Sequence, residues 1–206
     1  MKQGLFVTFE GGEGAGKTTL IDTIAAQLKT TGRIILKTRE PGGTQLGEEI
    51  REILLKHRKE PLSPYSELSL FLASRSQHIR EVIRPALDQG MVVLCDRFND
   101  STIAYQGAAR GLGTEKVAAF CDFISEGLVP NLTLYLDIDP ESGLKRAKNA
   151  RAQDRIELEN LEFHRKIRDA YLHLAKAHPK RFYRLDASQP PAIVFDEAMQ
   201  RIRKHV

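Results

Sequence analysis

Short apolar runs alternate along the chain with longer segments in which apolar residues recur every three or four positions. Runs rich in β-branched residues predict strands, and the longer spacing predicts helices with one buried face. Three runs, LFVTF, MVVLC and LTLYLDI, are almost continuously apolar, as is typical of strands buried on both faces of a parallel sheet. The predicted strands are Leu5–Phe9, Arg33–Thr38, Met91–Cys95, Leu132–Ile138 and Arg181–Leu185.

Helices are predicted in the segments between these strands. The first carries an apolar stripe from Leu20 to Leu28 and is followed by Gly32, a residue that commonly ends helices. A long helix has Pro64 in its first turn and should end before Pro85, because proline cannot donate a backbone hydrogen bond. The remaining helices are predicted to begin near Thr44 and to cover about 114–126, 140–149, 157–177 and 191–204.

The segment GGEGAGKT, which joins the first strand to the first helix, matches the phosphate-loop pattern G-x-x-x-x-G-K-[ST]. Glycines let backbone N–H groups converge on phosphate oxygens, and the start of the helix adds its positive dipole end. The lysine would reach the β- and γ-phosphates of a nucleotide, and the threonine hydroxyl would ligate Mg²⁺. The alternative is a flexible glycine turn without a ligand. The predicted nucleotide site comprises Gly11, Gly12, Glu13, Gly14, Ala15, Gly16, Lys17 and Thr18.

This motif and the alternation of strands and helices predict one α/β domain over residues 1–206, with no linker or repeat. We expect a three-layer fold of the P-loop NTPase type, with a five-stranded, mainly parallel sheet flanked by helices. Ligands of such sheets bind beyond the carboxyl ends of the strands. The junctions between strands and helices are therefore where a substrate site is expected.

Charged residues stand at two of these junctions. Arg39, in TREPGGT, could hold a second phosphate group through two hydrogen bonds, although a solvent-exposed turn with an ordinary salt bridge would show the same residues. Asp96 follows a buried strand, where a phosphate-loop protein places the acid associated with Mg²⁺. Arg97, beside it, would contact a phosphate. A charged pair at the end of a buried strand is costly without partners, which favours a functional role.

Two further segments are candidates for substrate contacts. Phe71 and Arg75 are four residues apart on one helical face, where a ring could stack on a base and the arginine could bond to its carbonyl edge. Phe71 alone would more often be a core residue. The basic segment at about 143–157 loses its apolar periodicity between Ala147 and Arg155, which predicts a mobile lid that closes over ATP. A solvated charged loop is the alternative.

Composition narrows the class of protein. The 206 residues carry a formal net charge of +4, with arginines clustered at 75–84, 97–110 and 145–155, so either a nucleotide or a nucleic acid fits as a polyanionic ligand. No run of about 18 apolar residues predicts a membrane span, and the N-terminal apolar run is interpreted as a strand, not a signal peptide. The two cysteines, Cys95 and Cys121, lie in apolar contexts, which favours reduced thiols in a cytoplasmic protein.

The segments FEGGEGAGKTT, TREPGGT, DRFNDSTIAYQG and GLKRA…DRIE resemble those of thymidylate kinases, in the same order and at similar spacing along nearly the whole chain. This resemblance implies that ATP phosphorylates dTMP to dTDP, with Mg²⁺, in a cytoplasmic homodimer without nucleic-acid or membrane partners. It also implies roles for individual residues. Arg39 and Arg97 would contact the dTMP phosphate, Phe71 and Arg75 the thymine ring, Thr102 and Gln106 the base edge, and Tyr105 the sugar, where it would disfavour a 2′-hydroxyl.

The resemblance gives a role to Glu13 as well. Some members of the family carry a catalytic arginine in the phosphate loop, whereas others, of a bacterial type, carry it in the lid. This loop has no arginine, so the chain resembles the second type, and Glu13 would pair with a lid arginine or help to order Mg²⁺. The lid sequence KNARAQDR is shifted by about one position from the spacing of that type. Arg151 is the predicted catalytic cation, with Lys148 and Arg155 as alternatives, and Arg155 would also contact ATP.

Two other functions share the phosphate loop. A deoxynucleoside kinase needs a general base to activate a sugar hydroxyl, and Glu10 at the end of the first strand is the nearest candidate. A monophosphate is already ionised and needs arginine clamps instead, which Arg39, Arg75 and Arg97 would supply. A non-kinase P-loop regulator or nucleic-acid-binding ATPase would need a partner domain or a stronger basic surface than a net charge of +4 suggests.

Overall fold

A parallel β-sheet forms the centre of the computed structural model, which describes residues 4–150 and 154–205. Within these residues five strands form one sheet in the order β2-β3-β1-β4-β5, and all neighbouring strands are parallel. Every residue of β1 and β4 is buried, which confirms the expectation for continuous apolar runs. The strands are β1 Leu5–Glu10, β2 Ile35–Arg39, β3 Val92–Asp96, β4 Leu132–Asp137 and β5 Phe182–Asp186.

Helices cover both faces of the sheet, as the predicted three-layer fold requires. Side chains of a strand alternate between faces, so Val7 and Phe9 pack with α1 and α9 on one side. Phe6 packs on the other side with Ile83, before α4. The α-helices are α1 Lys17–Lys29, α2 Gln45–Leu55, α3 Pro64–His78, α4 Arg84–Asp88, α5 Asn99–Thr102, α6 Thr114–Ser125, α7 Pro140–Ala150, α8 Leu161–Ala177 and α9 Pro191–Ile202.

The register of the strands determines which residues meet at the carboxyl edge. Arg39 of β2 pairs with Asp96 of β3, and Asp96 pairs in turn with Phe9 of β1. The backbone N–H of Arg97 continues the ladder by donating to the carbonyl of Phe9 at 3.0 Å. The phosphate loop, which follows Glu10, therefore begins beside Asp96 and Arg97. This confirms that the charged strand ends share one edge of the sheet.

The predicted end of the long helix at Pro85 is wrong. After α3, the π-helical segment Ile79–Ile83 leads directly into α4, which contains Pro85 and ends at Asp88. A π turn widens the helix, and the N–H of Arg84 bonds to the carbonyl of Ile79, five residues earlier. The wider turn accommodates a proline ring that would otherwise clash with the preceding turn.

The largest element missed by the pattern is the helical stretch that begins at Asn99. It consists of α5 and the π-helical segment Ile103–Ala109, and it carries the DST and AYQG residues of the candidate site. Buried polar residues such as Asp100 and Gln106 interrupt its apolar periodicity, so no amphipathic stripe is visible in the sequence. The predicted helix at 157–177 begins only at Leu161, and α7 continues through Ala150, into the segment predicted to be mobile.

None of the helices in the described part of the chain is long and apolar enough to cross a membrane. Cys95 and Cys121 are both buried free thiols.

Replacing Leu94 by alanine should lower the free energy of unfolding by about 2–5 kcal/mol, because it leaves a cavity in the central layer. The side chain of Leu94 is 0% exposed on β3. The matched control is Ile34→Ala, since Ile34 is 65% exposed and should change stability by less than about 0.5 kcal/mol. Urea unfolding monitored by circular dichroism measures both. Equal losses would contradict the assigned core.

Candidate functional site

The lysine of the phosphate loop is bonded to backbone carbonyls of the same loop. Lys17 begins α1 and is buried, and its Nζ donates to the carbonyl oxygens of Gly11 at 3.0 Å and Gly12 at 3.1 Å. Burial, and next the nearby Arg97 guanidinium, lower the pKa of Lys17. Gly16, before it, has a φ of 91°, a left-handed conformation that favours glycine. The loop thus holds a cation at the positive end of α1, as the sequence motif predicts.

Gly14 is the point where the phosphate loop touches the helix that leads into the lid. A Cβ atom on Gly14 would lie 2.0 Å from the carbonyl oxygen of Gly143 in α7, and Gly14 has a φ of 66°. Conversely, a Cβ atom on Gly143 would lie 2.4 Å from the carbonyl oxygen of Glu13. The two backbones can approach this closely because both positions are glycine. The phosphate loop has no room here for the side chain of a catalytic arginine.

The acidic residue of the loop forms an ion pair with the arginine after β3. Glu13 Oε1 accepts hydrogen bonds from Arg97 Nη2 at 2.7 Å and from the Tyr105 hydroxyl at 2.9 Å. Burial alone would raise the pKa of Glu13, but the charges of Arg97 and Lys17 lower it to about 2. Glu13 is therefore ionised at neutral pH. Its partners among the described residues are Arg97 and Tyr105, while Arg151, the predicted lid partner, lies outside the described residues.

Arg97 itself is tightly held. Its φ of 71° lies in the left-handed region, which is uncommon for a side-chain-bearing residue. Its guanidinium lies 4.9 Å from the centre of the Tyr105 ring, and Nη1 donates to Ser101 Oγ at 3.3 Å. Burial alone would lower the pKa of Arg97, but Tyr105 and Glu13 raise it well above the usual value. A strained, buried and permanently charged arginine at a strand end fits an anion-binding role.

A second group of arginines lies beside β2. Arg39 Nη2 is 2.8 Å from Glu48 Oε2, and Arg51 Nη1 donates to the carbonyl of Pro41 at 2.9 Å. Burial and the neighbouring charge of Arg39 lower the pKa of Arg51. Arg51 was not predicted from the sequence, because a single arginine within the apolar stripe of α2 resembles an ordinary half-exposed helix residue. Arg39 does form the salt bridge that the alternative interpretation expects, yet it also lines the cleft.

The aromatic and arginine pair on α3 faces the same cleft. Phe71 is half-buried, packing against the core next to α8 while lining the cleft. Arg75 is fully buried, and its Nε donates to Glu40 Oε2 at 2.7 Å. Burial alone would lower the pKa of Arg75, but Glu40 raises it. Glu40 is held from its other oxygen by His78 Nδ1 at 3.0 Å. The arginine is thereby fixed in place at the wall of the cleft.

The lid residue Arg155 does not line the cleft. Its Nη1 lies 2.6 Å from Glu67 Oε2, and its Nε donates to the carbonyl of Leu54. Glu67 also accepts from Gln106 and Arg110 and is almost fully buried, so it requires cationic partners. Arg155 is therefore held outside the cleft lining, and its contact with ATP stays a prediction. Arg151 lies outside the described residues, and Lys148 of α7 is exposed and does not belong to the cleft lining.

Glu10, the candidate base of a deoxynucleoside kinase, is also away from the cleft. It is completely buried, and its carboxylate accepts from the Phe98 N–H at 2.8 Å, Ser101 Oγ at 2.5 Å and Tyr171 Oη at 2.9 Å. Burial and the Asp100 carboxylate raise the pKa of Glu10 to about 7, against the opposing hydrogen bonds and Arg97. Its burial and internal hydrogen bonds separate it from the cleft, which disfavours a role as general base.

These elements enclose a cleft with a volume of about 510 Å³, within the range of small-molecule sites. Gly11 and Gly12 lie outside its lining, while Arg51, Ser101 and Arg146, which were not predicted, belong to it. Arg146 of α7 also donates to the carbonyl of Ala187 at 3.0 Å. The predicted residues that line the cleft together are Glu13, Gly14, Ala15, Gly16, Lys17, Thr18, Arg39, Phe71, Arg75, Asp96, Arg97, Thr102, Tyr105 and Gln106.

Comparisons with known proteins identify relatives that match nearly the whole chain. The family model "Thymidylate kinase" matches residues 9–198. A thymidylate kinase of Protochlamydia amoebophila is 48% identical over 206 residues, covering 96% of this chain and 92% of that protein. One of Pseudomonas fluorescens is 51% identical over 187 residues, covering 91% and 89%. The crystal structure of thymidylate kinase from Ehrlichia chaffeensis superposes with a TM-score of 0.79 at 32% identity, covering 97% and 99%.

Gly14→Ala should destabilise the protein by about 1–3 kcal/mol, because the left-handed backbone and the Gly143 carbonyl both oppose a Cβ atom. The matched control is Gly12→Ala, where a Cβ atom would meet nothing within 4 Å. We expect that control to stay within about 0.5 kcal/mol of the wild type in urea unfolding. Similar losses for both variants would argue against the close approach of the loop and α7.

Stability should fall as pH rises through the range in which Glu10 titrates. The pKa of Glu10 is raised from 4.5 to about 7 in the folded protein, so its favourable contribution is complete below pH 4.5 and lost towards pH 7. At about 1.4 kcal/mol per pKa unit, the loss is on the order of 3 kcal/mol. The control is Glu10→Gln, which removes this titration. Parallel pH profiles of unfolding for the two proteins would contradict the assignment.

Proposed function

This chain belongs to the thymidylate kinase family, and we propose that it transfers the γ-phosphoryl group of ATP to dTMP, giving dTDP and ADP for dTTP synthesis. The observation that carries the proposal is the ion pair between Glu13 and Arg97. It joins the phosphate loop to a second, arginine-lined region of the same cleft. A phosphoryl donor and a phosphorylated acceptor can therefore bind on opposite sides of one enclosed space.

The loop side of the cleft is assigned to ATP. Backbone N–H groups of the loop and the start of α1 would bind the β- and γ-phosphates, with Gly16 providing the left-handed turn. Lys17 would exchange its two carbonyl acceptors for phosphate oxygens and neutralise charge as it develops on the transferring group. Arg146, which lines the cleft from α7, faces this side as well.

The residues present fit a magnesium ion bound together with the nucleotide. Asp96 Oδ1 is buried and has no hydrogen-bond partner, and both Asp96 and Thr18 line the cleft. No cluster of three or more His, Cys, Asp or Glu side chains suited to a metal occurs in the described residues. The carboxylate of Asp96 and the hydroxyl of Thr18 suit Mg²⁺, which commonly takes one or two protein oxygens and completes its shell with phosphates and water. The ion would neutralise phosphate charge during transfer.

The strand-end side is assigned to dTMP. Arg97 and Arg39, with Arg51 beside them, would bind the acceptor phosphate. Phe71 would stack on the thymine ring, and Arg75 would bond to a thymine carbonyl. Thr102, Tyr105 and Gln106 line the cleft wall that is formed by the helical stretch after β3. Thr102 and Gln106 would contact the base edge, and Tyr105 would lie against the sugar and disfavour a 2′-hydroxyl.

A monophosphate acceptor explains this cleft better than a nucleoside. The acceptor region holds arginines, whereas Glu10, the predicted base, is buried behind it and accepts only from internal donors. An ionised phosphate needs positioning and charge neutralisation, which arginines supply. Arg151 remains the proposed lid cation that stabilises the transferring group. Lys148 and Arg155 are its alternatives, and Arg155 would have to leave Glu67 to take that role.

The proposal includes a homodimer in the cytoplasm, as the family resemblance implies. Phe120 and Phe123 of α6 are more than half exposed, and a second copy of the chain could cover them. The free thiols of Cys95 and Cys121 are compatible with a reducing compartment.

A coupled assay that detects ADP tests the reaction, with ATP, Mg²⁺ and each nucleoside monophosphate or thymidine in turn. We expect rapid ADP release with dTMP, and little with thymidine, AMP or GMP. Release with thymidine but not dTMP would indicate a deoxynucleoside kinase. Release that depends on nucleic acid and not on dTMP would indicate a P-loop ATPase of another class.

Arg97→Ala should raise the KM for dTMP about 10- to 100-fold, because it removes charge-assisted hydrogen bonds to the acceptor phosphate. The KM for ATP should change less than about threefold, since ATP is held by the loop. Arg80→Ala, at an exposed arginine outside the cleft, is the matched control and should behave as the wild type. Equal increases in both KM values would show that Arg97 does not belong to the acceptor side.

A further inference from the structure

Glu10 connects three parts of the structure without touching the cleft. Its Oε1 accepts from the backbone N–H of Phe98, and its Oε2 accepts from the hydroxyls of Ser101 and Tyr171. These donors come from the turn after β3, from α5 and from α8. Glu10 has no exposed surface and is absent from the cleft lining, so it cannot bind either substrate directly.

Two of these three donors flank Arg97 in space. Phe98 follows it in the chain, and Ser101 Oγ accepts from Arg97 Nη1 at 3.3 Å while donating to Glu10 at 2.5 Å. A continuous path of hydrogen bonds thus runs from the Glu10 carboxylate through one hydroxyl to the guanidinium. The same carboxylate also fixes the peptide immediately after Arg97.

Arg97 needs such restraint because its backbone is strained. Its φ of 71° is sparsely populated for residues with a side chain and persists only where the surroundings enforce it. On one side, the N–H of Arg97 is bound to the carbonyl of Phe9. On the other side, Glu10, the residue after Phe9, binds the N–H of Phe98. Residues of β1 therefore bind the peptide N–H groups on both sides of the Arg97 Cα atom.

We propose that Glu10 is a positioning residue for the acceptor, which fixes the Arg97 guanidinium where the phosphate of a nucleoside monophosphate binds. This inference rests on the proposed function. The contacts distinguish it from a residue that only stabilises the core. A core residue would be needed equally for both substrates, whereas a residue acting through Arg97 should affect the acceptor alone.

The test compares variants in dTMP affinity, measured by calorimetry, and in the KM values of both substrates. Glu10→Ala removes both acceptors and should weaken dTMP binding on the order of ten- to hundredfold, because small misplacements of a positioning group have effects of this size. The KM for ATP should stay within about twofold. Glu10→Gln keeps an oxygen that accepts from the Phe98 N–H, and its amide N–H can donate to Ser101 Oγ, which reverses that bond but keeps the path. It should therefore restore dTMP affinity to within about threefold of wild type.

Tyr171→Phe is the matched control. It removes an α8 hydroxyl that bonds to the same oxygen of Glu10 and lies 2.8 Å from Ser101 Oγ, but it keeps the bonds of Ser101 to Glu10 and Arg97. We expect its dTMP affinity to stay within about twofold of wild type. A loss as large as that of Glu10→Ala would indicate that general loosening of the buried network, not the position of Arg97, controls the acceptor.

Combining Glu10→Ala with Arg97→Ala tests the path itself. If Glu10 acts through Arg97, the double variant should bind dTMP no more weakly than Arg97→Ala alone; multiplied losses would overturn the proposal. Unchanged dTMP affinity in a folded Glu10→Ala protein, or equal losses for ATP, would overturn it as well. If that variant does not fold, Glu10→Asp applies the same criteria, because it withdraws the carboxylate by one methylene. A wild type inactive on dTMP would instead refute the proposed function, and with it this inference.

Discussion

The ion pair between Glu13 and Arg97 is the interaction on which the arrangement of the cleft depends. It connects the phosphate loop after β1 to the turn after β3, two segments 84 positions apart in the chain. Both side chains are largely buried, so the attraction between them must offset the free-energy cost of removing two charges from water. Further hydrogen bonds from Tyr105 to Glu13 and from Arg97 to Ser101 help to offset that cost. Because Glu13 forms an ion pair with Arg97 at the cleft, the guanidinium is already positioned before a phosphate binds.

Two other arginines of the cleft also have carboxylate partners. Arg39 is held by Glu48, Arg75 by Glu40, and the structure would otherwise place several like charges around one cavity. Each carboxylate offsets the repulsion while leaving its arginine at the wall of the cleft. An incoming phosphate can then add to, or exchange for, these partners, which reduces the ordering cost of binding. A site built in this way favours an anion of defined position.

Sequence patterns identify what depends on local chemistry and miss what depends on long-range pairing. The loop Gly11–Thr18 is predictable because glycine, lysine and threonine are required at fixed spacing, and the strands are predictable from their apolar runs. The stretch Asn99–Ala109 was missed because its buried polar residues find partners on distant elements. Contacts between separate elements determine three further features, which spacing along the chain does not predict. They are the pairing of Glu13 with Arg97, the ion pair between Arg155 and Glu67, and the position of Arg51 in the cleft.

The central claim is that Arg97 marks the acceptor side of a single cleft whose donor side is the phosphate loop. A crystal structure of the protein with dTMP bound tests this most directly. The account predicts that the dTMP phosphate lies within hydrogen-bond distance of the Arg97 guanidinium, with the thymine ring against Phe71. A dTMP molecule whose phosphate instead occupies the loop at Lys17, or which binds outside the cleft, would contradict it.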